Sequence, residues 1–169
     1  MQKKKEQLSK IRPQLTSTDR ILEMGALATI AIAWMVAVIT YTSMPETIPI
    51  HFNIKGEPDG YGSRLTLMIL PAIATLTIPP MVWLSRYPHI FNYVVKITPE
   101  NQLVQYRLAA RFIRLMAAGV GIIFIIILQA MITSAESNRY PNAFILITSI
   151  AAISIIPLMV YIIISSRSK

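Results

Sequence analysis

The chain has 169 residues, 54% hydrophobic and 14% charged, where a soluble domain carries about 25% charged residues. It has no cysteine and a formal net charge of +8. The missing cysteine excludes disulfides, thiolate metal sites and a cysteine nucleophile, and the composition argues against a soluble globular domain.

The apolar residues fall in four runs: Met24–Ser43, Leu65–Leu84, Leu115–Ile132 and Phe144–Ile164. Each is close to the ~20 residues that carry a helix across a bilayer. The expectation is an all-α, polytopic membrane protein with four transmembrane helices. It divides into a basic arm (residues 1–23), a four-helix domain (24–165) and a short tail (166–169). The charges lie just outside the runs, which fits topology determinants facing anionic membrane lipids and excludes nucleic acid as the partner. The first run is longer than a ~7–15-residue signal core and no A-x-A-like site follows it, so it reads as a retained helix.

The arm sets Lys3, Lys4, Lys5, Lys10, Arg12 and Arg20 against Glu6, Asp19 and Glu23. It reads as a solvated anchor, with a cytoplasmic regulator as the alternative partner. Thr18 or Asp19 is the expected helix cap. Helix one is rich in alanine (Ala26, Ala28, Ala31, Ala33, Ala37), which suits close packing at the centre of a bundle. Trp34 lies too deep for an interfacial belt and reads as packing. Tyr41 falls where such a belt is expected.

The polar stretch Met44–Arg64 follows. It collects His51, Asn53, Glu57, Asp59 and three glycines. Ile50-His51-Phe52-Asn53-Ile54 alternates with the period of a strand, which predicts Ile50, Phe52 and Ile54 on a buried face and His51 and Asn53 on the other. Glu57-Pro58-Asp59-Gly60 fits a type I turn. This loop is expected to fold against the mouth of the bundle.

Helix two carries Pro71 and the Pro79-Pro80 pair, and a kink near Pro79 is expected. The second basic segment, residues 85–114, holds Arg86, Lys96, Arg107, Arg111 and Arg114. Thr98-Pro99-Glu100 starts a helix, and nothing breaks it until about Ser134. Helix three should therefore run from about Pro99 to Thr133, ~50 Å, longer than a ~30 Å hydrocarbon core. Arg107, Arg111 and Arg114 share one of its faces, read as a snorkelling flank at lipid-phosphate depth or a partner-docking stripe. Ala117 and Gly121 form a small-xxx-small pair, and Gln129 is expected to bond between helices. Helix four contains Thr148, Ser149, Ser154 and Pro157.

Of the 16 Lys and Arg, all but Lys55, Arg64 and Arg139 fall on the side of the N-terminus. This bias predicts cytoplasmic termini and an outer Met44–Arg64 loop. No ionisable residue lies within the apolar cores, which argues against an ion-coupled carrier. Phosphate loops, zinc-protease motifs and nucleophile elbows are missing. Glu46, His51, Glu57 and Asp59 match no metal-ligand spacing, and His51 and His89 fall on opposite sides of the membrane. No cofactor, metal or catalytic set is implied.

Two motifs carry a family resemblance. One is Pro45-x-x-Ile48-Pro49-Ile50-His51-Phe52-Asn53 followed by Gly56-Glu57-Pro58-Asp59-Gly60-Tyr61-Gly62-Ser63. The other is Asn92-Tyr93, Ile97-Thr98-Pro99-Glu100-Asn101 and Gln105-Tyr106. Over roughly Leu22 to Met116 the chain resembles a bacterial membrane family of unknown function that forms the N-terminal domain of SdpI-like immunity proteins. Met44 and Arg64 stand where leucine and lysine are expected, and the further multi-helix part of SdpI-like proteins is not represented. The resemblance implies a bacterial inner-membrane domain. It also implies a role in protection against a secreted toxic peptide, in some relatives coupled to holding a regulator at the membrane.

The expected function is a non-enzymatic binding protein for a secreted peptide or envelope ligand, with His51, Asn53, Glu57, Asp59 and Tyr61 as candidate contacts. A small transporter or channel-like bundle is the alternative, and a membrane enzyme built on His51 the third reading.

Overall fold

The computed structural model describes residues 13–137 and 142–168. The arm residues Lys3, Lys4, Lys5, Glu6, Lys10 and Arg12, with Arg139 and Lys169, lie outside the described residues. Four helices are long and apolar enough to cross a membrane, so the protein is an all-α polytopic membrane protein carrying one small sheet.

Helix α1 spans Ser17–Tyr41, so it begins before the first apolar run. Its cap is Thr16, not Thr18 or Asp19. The Thr16 hydroxyl accepts from the Asp19 N–H at 3.3 Å, and the Asp19 carboxylate accepts from the Thr16 N–H at 2.8 Å. This reciprocal capping box satisfies two backbone donors and extends the helix by two turns. Residues 17–23 are therefore helical, with Asp19 and Glu23 buried and Ser17, Thr18 and Arg20 exposed.

After the loop, a 3-10 turn Arg64–Met68 leads into α2, Ile69–Leu84. Helix α2 remains helical through Pro79 and Pro80. The Thr75 hydroxyl donates to the Pro71 carbonyl at 2.8 Å and accepts from the Trp34 indole N–H at 3.0 Å. Trp34 thus makes a polar link between α1 and α2 in addition to its packing.

Helix α3 spans Gln102–Ser137, 36 residues, or about 54 Å at 1.5 Å per residue. It is continuous to beyond Thr133 as expected, but it begins at Gln102 and not at Pro99, which lies in the turn before it. Thr98 and Asn101 cap its start: the Asn101 side chain accepts from the Thr98 N–H at 2.9 Å, and the Asn101 N–H reaches the Thr98 hydroxyl at 3.4 Å. Helix α4, Ala143–Arg167, is capped by Asn142, whose side chain accepts from the Ile145 N–H at 3.2 Å.

Helices α1, α2 and α3 pack on one another, and α4 packs chiefly on α3. One core cluster joins Ala26, Ala74, Ile78, Val82 and Ala117; the other, beneath the loop, joins Ala37, Met44, Ile48, Leu67, Leu128 and Met131. A Cβ at Gly121 would collide with the side chain of Thr29, so the small residue sets how closely α1 and α3 approach. Among the described residues Gln129 bridges no helices: it donates to Thr133 one turn along α3 at 3.1 Å, because its side chain lies on an exposed face.

The Met44–Arg64 loop is an antiparallel hairpin of β1 (Thr47–Phe52) and β2 (Pro58–Ser63). Strand β1 rests on α3. Ile48 is fully buried and Phe52 partly so, while Ile50 is 39% and Ile54 84% exposed. The expected burial of Ile50 and Ile54 is therefore incorrect. Register shifts between Pro49 and Phe52 interrupt the alternation, and a bulge breaks the period of two on which that expectation rested. The turn also lies earlier than expected. It is built on Asn53–Glu57 with Gly56 at φ 84°, and Pro58, Asp59 and Gly60 belong to β2.

Candidate functional site

The hairpin carries all five candidate residues and pairs four of them, Asn53 with Glu57 and His51 with Asp59. Asn53 forms the turn: its side-chain oxygen accepts from the N–H groups of Lys55 and Glu57 at 2.8 and 3.1 Å, and its amide donates to the Glu57 carboxylate at 3.1 Å. Short polar side chains favour such turns because they reproduce a backbone turn's own hydrogen bonds. Asn53 and Glu57 are thus engaged within the loop. His51 Nδ1 lies 2.5 Å from the Asp59 carboxylate, and this pair stays largely open to solvent, at 72% and 44% side-chain exposure. Tyr61, two residues after Asp59 on β2, is 59% exposed.

The base of the hairpin is fixed to the bundle. Arg64 donates to the Met44 carbonyl at 3.0 Å, and its guanidinium stacks 5.0 Å from the centre of the Tyr41 ring. A shallow polar groove lies along this base, lined by Tyr41, Glu46, Thr47, Tyr61, Ser63 and Arg64. Strand β2 pairs with β1 along one edge, and among the described residues no strand covers the other. No group of three or more His, Asp or Glu side chains among the described residues is placed to hold a metal ion.

The opposite end of the bundle carries the second polar centre. Arg111 Nε donates to Asp19 at 3.0 Å, and its Nη2 reaches the Thr16 hydroxyl at 3.2 Å. Arg114 Nε donates to Glu23 at 3.0 Å, and its Nη1 lies 3.6 Å from Asp19. Arg86 Nη2 donates to the other Glu23 oxygen at 2.8 Å. Arg114 is only 3% exposed. Its expected place on a snorkelling face is therefore incorrect. The face turns onto α1 because Asp19 and Glu23, one turn apart, meet the arginine stripe across the helix interface. Arg111 is half-exposed at the edge of this network, and Arg107 lies one turn beyond it towards the end of the bundle. The sequence signal was a pair of carboxylates at i, i+4 facing arginines at i, i+3. It was missed because both carboxylates precede the apolar run.

Gln105 is a further polar residue that sequence reasoning left without a role. Fully buried, it donates to the carbonyls of Ser165 and Ser168, both at 2.9 Å, and accepts from the Ser165 hydroxyl at 2.7 Å. Nearby, Tyr93 stacks on Tyr106 with ring centres 5.5 Å apart and donates to the Pro88 carbonyl at 2.6 Å. Burial, with smaller effects from Tyr106 and Tyr161, raises the Tyr93 pKa and keeps the phenol protonated.

Residues 28–75, covering most of α1, the hairpin and the start of α2, match a family described as a domain of unknown function, DUF1648. An uncharacterized protein of Archaeoglobus fulgidus is 38% identical over 87 residues, a match that takes in 46% of this chain and 47% of that protein. The chain thus spans about half the length of the curated relative it matches. No solved structure matches. The similarity is to proteins whose function is uncharacterized, and the matched family segment contains the whole hairpin.

Proposed function

We propose that this is a non-enzymatic binding protein of the bacterial inner membrane, with both termini cytoplasmic. In this reading the hairpin senses a secreted peptide or envelope ligand, or confers immunity to it. The observation that carries the reading is the open edge of β2, held on a base that Ile48, Leu67 and Arg64 fix to the bundle. An extended peptide can add to such an edge through main-chain hydrogen bonds, while neighbouring side chains select its sequence. Asp59 supplies a carboxylate held by His51, and Tyr61 an exposed ring. Asn53 and Glu57 act by shaping the turn. A basic or backbone-rich peptide fits this surface.

The test is protection. Asp59→Ala and Tyr61→Ala proteins should reach the membrane at normal levels and keep their melting temperature, while cells lose resistance to secreted peptides from the same strain. Full protection by both variants would locate recognition elsewhere. Orientation is checked separately: cysteines placed at Ser63 and Ser137 should react with an impermeant reagent from outside, and one at Ser168 should not.

A further inference from the structure

The charge network at the end of the bundle opposite the hairpin is unbalanced. Among the described residues, four guanidinium groups, from Arg86, Arg107, Arg111 and Arg114, gather around two carboxylates, Asp19 and Glu23. Both carboxylates are already engaged: Asp19 by Thr16, Arg111 and Arg114, and Glu23 by Arg86 and Arg114. Arg107 takes part in none of these pairs. Its Nε is buried and has no hydrogen-bond partner among the described residues.

A cavity of about 200 Å³ lies beside this network, with Arg86, Arg107, Arg114, Asp19, Gln14 and Ser85 on its polar side and Pro13, Leu15, Pro88 and Ala110 forming an apolar wall. That is several times the ~30 Å³ that a water molecule occupies in the liquid. Its three arginines come from two different segments, the residues just after α2 and the first four turns of α3. A buried N–H donor without an acceptor is unfavourable, and a surplus of positive charge in a partly enclosed space favours an anion. Guanidinium groups bind phosphate oxygens through paired, charge-assisted hydrogen bonds.

We infer that this cavity is a phosphate-binding site in which Arg107 is the principal ligand and Arg86 and Arg114 contribute secondary contacts. The phosphate belongs either to an anionic lipid headgroup or to a soluble molecule. The site lies at the opposite end of the bundle from the hairpin and stands independently of the peptide reading.

The test uses the full-length protein in neutral detergent. Its thermal stability is followed during titration with inorganic phosphate, with phosphatidylglycerol, and with sodium chloride at matched ionic strength. Arg107→Gln is compared with Arg20→Gln, which removes an equal charge from an exposed position near the same end of the bundle. Wild type and Arg20→Gln should be stabilised, with apparent affinity at least about tenfold higher than that of Arg107→Gln. Stabilisation by both phosphate compounds identifies a site open to soluble phosphate; stabilisation by phosphatidylglycerol alone identifies a headgroup site. Equal weakening in the two variants would overturn the inference. So would a wild-type protein that neither phosphate compound stabilises beyond sodium chloride, a result that holds even if Arg107→Gln fails to fold.

Discussion

The two ends of the bundle satisfy their polar groups in opposite ways. At the hairpin, partners are close in sequence: Asn53 with Lys55 and Glu57, and His51 with Asp59 eight residues on. At the other end, Glu23 meets Arg86 across 63 residues and Arg114 across 91, and Asp19 meets Arg111 across 92. Local pairing shapes a loop and leaves the helices unconstrained. Long-range pairing ties α1, α2 and α3 to one another, in surroundings where an unmatched charge is costly. Loss of one of the hairpin's exposed polar pairs should thus cost the bundle little, while the charged end tolerates change only in matched sets.

Four substitutions probe this contrast, with stability followed by reversible unfolding in mixed micelles. Arg114→Ala should have the largest effect. It leaves Glu23 and Asp19 partly uncompensated in a buried site, and breaking one partner of such a pair costs about 3–5 kcal/mol. A double-mutant cycle between Glu23 and Arg114 should show strong coupling; coupling as weak as that between His51 and Asp59 would erase the distinction between the two ends. Gly121→Leu comes next. It forces α1 away from α3 at Thr29, and overpacking of this kind costs about 1–3 kcal/mol.

Gln105→Ala should cost about 1–3 kcal/mol by removing the partner of the buried Ser165 hydroxyl. It should also raise proteolysis or labelling of α4 more than that of α1, because Gln105 joins α3 to the end of α4. Uniform loosening of all four helices would show that α4 is integral to the core. His51→Ala should have the smallest effect, at most about 1 kcal/mol, because exposed ion pairs contribute little. A melting temperature that collapses in this variant would mean that the hairpin governs the bundle.

Much of the fold was legible because apolar runs of bilayer length carry a strong signal. All four helices and the long continuous α3 follow from that pattern. The start of α1 was legible to within two or three residues, with Thr18 or Asp19 read as the cap in place of Thr16; the burial of Asp19 and Glu23 was not legible, because composition assigns them to water. The hairpin was half legible: the strand at His51 was there, but a bulge moved burial from Ile50 and Ile54 to Ile48. The turn followed Gly56, with its positive φ, and not the Pro58-Asp59-Gly60 triplet. The candidate hairpin residues were found because unusual residue types cluster there. The charge network was missed because its members are distant in sequence, and no local period marks a contact between residues 19 and 111.

That separation also sets a timetable for synthesis. A ribosome extends the chain by about 5–20 residues per second. Glu23 therefore waits about 3–13 s for Arg86, and Asp19 about 5–18 s for Arg111. In the meantime α1 carries carboxylates without their arginine partners at its leading edge. Arg86 emerges before Arg111 and Arg114, so an arginine is available to Glu23 before one is available to Asp19. Arg111 and Arg114, three residues apart, follow together. The order in which the arginines emerge thus offers the carboxylates of α1 a succession of partners.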